Sequence, residues 1–186
     1  MTAEVSLIAS VSFVLLPGYC LRAGSGVDRA LLVKFMQRTY QELFSEQDFS
    51  HLAQTVEQHL SDSTPIWWVE AVNAELGQVL PHWHQPVACL WVGTAVEQVR
   101  GDHHPHIFLL YVVPEHRRRG LGKALMRYVE DWAIGQGDRQ IGLQVFQSNQ
   151  PALNLYHHLG YQTQSLWMVK RLRQGEESDQ SQEQQD

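Results

Sequence analysis

Apolar positions recur along this chain with two different periods. Leu31, Leu32, Phe35, Met36, Leu43 and Phe44 fall at helical spacing after Asp28, and Leu52, Val56 and Leu60 do so behind Ser50, a residue able to cap a helix. Ala124, Leu125, Val129 and Trp132 repeat that spacing before Gly135 and Gly137 stop it. A short fourth helix opens with Pro151 at its first position and ends at Gly160. Between these segments lie strand patterns: Tyr19–Ala23 closed by Gly24-Ser25-Gly26, the Trp- and Val-rich residues 66–72, then 87–94, the apolar run 107–113, 141–146 and 161–172. The expected order is β-αα-βββ-α-β-α-β, one α/β domain without internal repeat or linker.

Composition narrows the class without changing that picture. A chain of 186 residues with 44% hydrophobic and 18% charged positions suits a soluble domain with a sizeable core. The 13 Gly, 7 Pro and 2 Cys exclude collagen-like, wholly disordered and disulfide-scaffold classes. Cys20 and Cys89 form no metal or redox spacing, so reduced thiols and a cytoplasmic location are expected. The net charge is −6, but Glu176, Glu177, Asp179, Glu183 and Asp186 crowd into residues 174–186. The rest has 14 bases against 15 acids, a net of −1, which argues against nucleic acid as the main partner. The apolar run 5–16 is too short to span a bilayer and has Glu4 rather than a base before it, so neither a membrane anchor nor a signal peptide is expected. Residues 1–17 are expected to be an extension, either an added strand or a disordered leader. The domain proper is placed at 18–173, and the polar tail 174–186 is disordered by composition.

Chemistry concentrates where the run 107–113 gives way to a helix. Arg117-Arg118-Arg119-Gly120-Leu121-Gly122 lies at that junction. Its glycines let the backbone approach a ligand and aim successive N–H groups outward, while the helix N-terminus adds partial positive charge. A phosphate or pyrophosphate is the natural guest, with the arginines as donors at the rim. The segment is no Walker loop, because no Gly-Lys-Ser/Thr follows. It is no dinucleotide fingerprint either, because the third glycine would fall at Leu125.

A second segment follows the strand pattern at 141–146: Asn149-x-x-Ala152-x-x-Leu155-Tyr156-x-x-Leu159-Gly160-Tyr161. Together with Arg117-x-x-Gly120-x-Gly122 and its lead-in Val113-Pro114-Glu115, it resembles the GNAT acetyltransferase superfamily from about Tyr19 to Leu172. The resemblance implies a mixed central sheet, helices on both faces, splayed between two strands so that acetyl-CoA wedges into the opening. It further implies that Val112 and Val113 offer backbone groups to the pantetheine arm. The amides of Arg118, Arg119, Gly120, Leu121, Gly122 and Lys123 would hold the pyrophosphate, with Arg117 opening the motif. Asn149 and Ala152 would lie beside the pantetheine, and Tyr156 would point at the thioester sulfur as the acid for the departing thiolate. In many members a glutamate stands eleven residues before the pyrophosphate motif, and here that position is His106.

Acetyl transfer needs a neutral amine, and an amine of lysine type has a pKa near ~10.4, so some group accepts its proton. Period-two alternation places His106, Phe108, Leu110 and Val112 on one face, and an imidazole serves as a base near neutrality. Glu70, within residues 66–72, and a water chain are the competing bases. No Cys lies in either motif, so transfer is expected to be direct. The acceptor is an amine of a small molecule or a protein, and the chain is expected to be a monomer or a homodimer. A non-catalytic acyl-CoA-binding module of the same fold is the alternative. His82-x-His84 and His103-His104-x-His106 invite a metal, but no Cys accompanies them and no metal is expected. Trp67, Trp68, Trp83 and Trp91 fit either an aromatic acceptor pocket or the core. After Gly160-Tyr161 only one strand's length remains before the polar tail, so the acceptor wall is expected to be short, or built partly by residues 5–16.

Overall fold

A computed structural model describes residues 12–72 and 85–170, and within them the two periods become layers. β1 (Ser12–Leu16) and β2 (Tyr19–Ala23) form a hairpin turned at Gly18, whose φ of 81° suits a residue without Cβ. Helices α1 (Arg29–Leu43) and α2 (Leu52–His59) follow, then β3 (Ile66–Ala71), β4 (Ala88–Val96) and β5 (His103–Val112). Helix α3 (Leu121–Gln136), the short β6 (Gly142–Leu143) and helix α4 (Gln150–His158) complete the described strands and α-helices. The strands form one sheet in the order β1-β2-β3-β4-β5-β6, antiparallel throughout except for the parallel pair β5–β6. The mixed sheet read from the sequence is present, with an added strand at its β1 edge.

Both faces of the sheet are covered, which is why its central strands are apolar without alternation. Trp68, Cys89, Trp91, Leu109 and Tyr111 pack against Leu32, Phe35, Met36 and Val56 of α1 and α2. Trp67, Val69, Leu90, Val92 and Ile107 pack against Leu121, Leu125, Met126 and Val129 of α3. Each such side chain contributes roughly 1.5–3 kcal/mol by leaving water. Trp67, Trp68 and Trp91 are therefore core residues rather than a pocket lining, and Trp83 lies outside the described residues. Helix α3 stops at Gly137, whose φ of 89° turns the chain while its N–H returns to Ala133 and Ile134.

Several local expectations are corrected. Strand β5 carries a bulge: Trp91 pairs with Leu109 but Val92 pairs with Ile107, so Phe108 is the extra residue. The expected single face over His106, Phe108, Leu110 and Val112 is therefore split. Phe108 packs on the α1–α2 side with the His106 ring 5.8 Å away, whereas Leu110 and Val112 pack on the α3 side. The strand read at 141–146 shrinks to Gly142–Leu143, because only His106 and Ile107 pair with it. Residues 161–170 form no strand: the Tyr161 N–H bonds to the Tyr156 carbonyl, no described strand pairs with the segment, and residues 171 and 172 lie outside the described range. Ser50 does not cap α2, since its hydroxyl and N–H both turn to Asp48. In α4, Pro151 takes the second position rather than the first, and Asn149 is the cap.

Candidate functional site

The junction between β5 and α3 holds a loop of unusual backbone geometry. Arg118 has φ 61°, the one positive value outside glycine among the described residues, and Gly120 follows at 87°. Two left-handed residues flanking Arg119 curl the chain so that successive N–H groups face one side. The first α3 bond to the loop runs from Ala124 N–H to Gly120 C=O. The amides of residues 118–123 have no described acceptor, as the start of a helix dictates. A set of converging, unpaired N–H groups at a helix N-terminus suits a pyrophosphate. Gly122 serves a second purpose: a Cβ there would stand 3.2 Å from Leu155 Cδ2, so its bareness lets α3 and α4 approach. The three arginines differ. Arg119 donates to the Tyr19 hydroxyl and the Glu115 carbonyl, and Arg117 to Glu42 and the Val112 carbonyl. Arg118 has no described partner.

The mouth of this loop meets a break in the sheet. β5 and β6 pair only through His106–Gly142 and Ile107–Leu143, and the β5 edge beyond them is unpaired. Val113 donates its N–H to the carbonyl of Val87, the residue before β4, and its own carbonyl accepts from His116, so both its groups are committed within the fold. By strand alternation Leu110 and Val112 direct theirs away from β4, where the Val112 carbonyl is already taken by Arg117 Nε. Tyr156 sits at the inner wall, 9% exposed, in the same cluster as Ile107, Leu121 and Leu125, with Leu110, Val112 and Ala152 packed against that cluster. Burial pushes its hydroxyl pKa up to about 12. Asn149 Oδ1 accepts the Ala152 N–H and leaves its own NH₂ without a described partner.

The Acetyltransferase (GNAT) family model matches residues 32–161, more than two thirds of the chain. The chain belongs to the GNAT acetyltransferase family. A curated relative, the peptidyl-lysine N-acetyltransferase YiaC of Escherichia coli (strain K12), is 44% identical over 52 residues, 28% of this chain and 32% of the relative. The streptothricin acetyltransferase of Streptomyces lavendulae is 38% identical over 50 residues, 27% of this chain and 26% of the relative. This chain thus spans between about a quarter and a third of these two relatives. A solved structure, a predicted acetyltransferase with acetyl-CoA from Clostridium acetobutylicum, superposes with a TM-score of 0.64 at 17% identity, over 82% of this chain and 96% of that one. That likeness bears on the fold.

Within this GNAT domain the two candidate bases lie apart. His106 pairs with Gly93 near the start of β5, whereas Glu70 follows Val69, which pairs with Ala88 opposite Val112. The six-residue step from His106 to Val112 alone is roughly 20 Å. The structure does not bring Glu70 to His106, and Arg22 Nε holds the Glu70 carboxylate at 2.7 Å. Burial, and then the charge of His104, hold the His106 imidazole below its ordinary pKa. Both rings bracket Gly142, where a Cβ would stand 3.0 Å from His104 Nε2 and 3.2 Å from His106 Nδ1. No group of three metal-ligating side chains occurs among the described residues, and His82 and His84 lie outside them. No described helix is long and apolar enough to cross a membrane. A cavity of about 560 Å³ opens on the α1 side of the β5 end, lined by Arg38, Glu42, Val87, Tyr111 and Glu115 among others. Sequence reasoning missed Glu42 and Tyr111, whose partner Arg117 is distant from Glu42 along the chain and so leaves no local signal.

Proposed function

We propose that this protein is an N-acetyltransferase that moves an acetyl group from acetyl-CoA directly to a primary amine of a small molecule or a protein. The observation that carries the reading is the opening itself: the unpaired β5 edge leads to an uncapped α3 N-terminus beside buried Tyr156. An extended amide-bearing chain pairs with such an edge as a peptide would, and the loop amides of residues 118–123 neutralise its pyrophosphate. Acetyl-CoA supplies the acyl group as a thioester. Val112 and Leu110 turn N–H groups toward the pantetheine and the oxygen on which charge develops. The Asn149 NH₂ group is a further donor on the pantetheine side, beside Ala152.

His106 accepts the amine proton in this reading, because burial keeps it neutral at lower pH than a free imidazole. Tyr156 is protonated throughout the physiological range. An ordinary thiol has a pKa of ~8.5, well below that of this phenol. Tyr156 therefore stabilises the departing sulfur chiefly as a hydrogen-bond donor rather than by outright loss of its proton. The names of the matched relatives, one acting on peptidyl lysine and one on streptothricin, support an amine acceptor without choosing between protein and small molecule. Release of free thiol from acetyl-CoA, measured across polyamines, aminoglycosides and peptides with free N-termini or lysines, tests the activity. At least one amine is expected to give turnover. CoA binding with no turnover on any of them would assign the fold to a non-catalytic acyl-CoA-binding module.

The base has its own test. The rate constant kcat/KM is expected to rise with pH through an apparent pKa below the usual imidazole range, since the neutral form is active and burial disfavours the charged one. His106→Gln is expected to remove that acidic limb and lower the rate. A limb that survives the substitution and follows the acceptor's own basicity assigns the proton to Glu70 or water instead.

A further inference from the structure

Arg117 opens the pyrophosphate motif, yet its guanidinium turns toward α1. Its Nη2 donates to both Glu42 oxygens at 2.8 and 2.6 Å, and its Nε donates to the Val112 carbonyl at 2.8 Å. The guanidinium also lies over the Tyr111 ring, 5.5 Å from its centre. Tyr111 donates its hydroxyl to Glu42 Oε1 at 2.7 Å, and burial followed by this carboxylate pushes its pKa up to about 12. One carboxylate from the last turn of α1 thus ties the end of β5 to the first residue of the anion-receptive loop.

We infer that Glu42 is a positioning residue for acetyl-CoA, acting through Arg117 on the loop amides rather than by touching the ligand. Exposed ion pairs contribute little by themselves, and the Arg117 and Glu42 side chains are each roughly two-fifths exposed. This pair differs from a solvated one because buried Tyr111 supplies a third bond and Val112 a fourth. The loop has work for such an anchor. A non-glycine residue at positive φ, here Arg118, is strained, so the chain would relax out of the curl unless held. A receptor held in its binding geometry before the ligand arrives loses less entropy on binding. Because Arg117 is occupied on the α1 side, its contribution to affinity runs through backbone placement.

The inference rests on the loop being the acetyl-CoA seat, and calorimetry with CoA separates the two. Wild type that binds no CoA removes the seat. Wild type that binds, with Glu42→Gln binding equally well, removes only the role of Glu42. The expected result is a rise in Kd for CoA of about 5- to 10-fold in Glu42→Gln, and a matching rise in KM for acetyl-CoA with kcat near normal. Arg117→Gln is expected to show a similar loss, and the double variant little more than either single one, since both break the same link. Arg29→Gln breaks the other α1 ion pair, to Glu57, and is the control for general weakening of the helix. A Kd raised equally by Arg29→Gln, or fully additive losses in the double variant, would overturn the assignment.

Discussion

Tyr156→Phe is expected to lower kcat by about 10²- to 10³-fold while the Kd for acetyl-CoA changes less than about twofold. The hydroxyl has no hydrogen-bond partner among the described residues, so its removal leaves no buried group orphaned. Phe keeps the ring, its place in the α3-side core and its 5.8 Å contact with Tyr161. Thermal stability should therefore stay the same, and any loss of rate belongs to the chemical step. A removed donor to a developing charge in a dry site has an effect of this size elsewhere. Single-turnover measurement with a verified amine is the check. A normal chemical step in the variant would make Tyr156 a packing residue.

Gly122→Glu is expected to lower affinity for CoA by about 10²-fold or more, which corresponds to ~3 kcal/mol. The new carboxylate would face a pyrophosphate across converging amides, with like charge and lost solvation acting together. It would also press on Leu155, because even a Cβ at this position stands 3.2 Å from Leu155 Cδ2. Two companions separate electrostatics from packing. Gly122→Ala presses on Leu155 without charge and should weaken binding much less. Lys123→Glu reverses charge at an exposed position of the same turn and should weaken binding while α4 stays packed. Calorimetry of all three with CoA decides. Equal affinity of folded Gly122→Glu and wild type would remove the loop from the binding site.

The helices were legible because their apolar spacing matches one buried face each, as Leu125, Val129 and Ala133 show in α3. The loop was legible because its backbone demands are written in residue types: Gly120 takes a left-handed φ and Gly122 a close helix contact. The bulge at Phe108 was not legible. Its strand is apolar on both faces, so one inserted residue leaves the hydrophobic pattern intact while reversing which side each residue meets. Residues 161–170 show the converse limit. A sequence can carry a strand pattern, but a strand exists only where a neighbouring strand supplies a ladder of hydrogen bonds, and none does here among the described residues. The role of Arg117 depends on Glu42 and Tyr111 meeting it in space, which no local spacing encodes. Glu70 looked suitable by type alone. Its strand position, opposite the far end of β5 from His106, separates it from the other candidate base.

The same unpaired segment has an optical consequence. Leu166, Trp167, Met168 and Val169 are 69%, 79%, 87% and 75% exposed, whereas Trp67, Trp68 and Trp91 are sealed in the core. Indoles in water emit at longer wavelength than indoles in an apolar interior, so the fluorescence of this protein contains a red component from Trp167. Iodide would quench that component first. Trp91 lies 5.0 Å from the Phe108 ring at the bulge, and its emission belongs to the protected fraction. Among the described residues Trp167 thus senses the environment of residues 161–170 while Trp67, Trp68 and Trp91 sense the sheet.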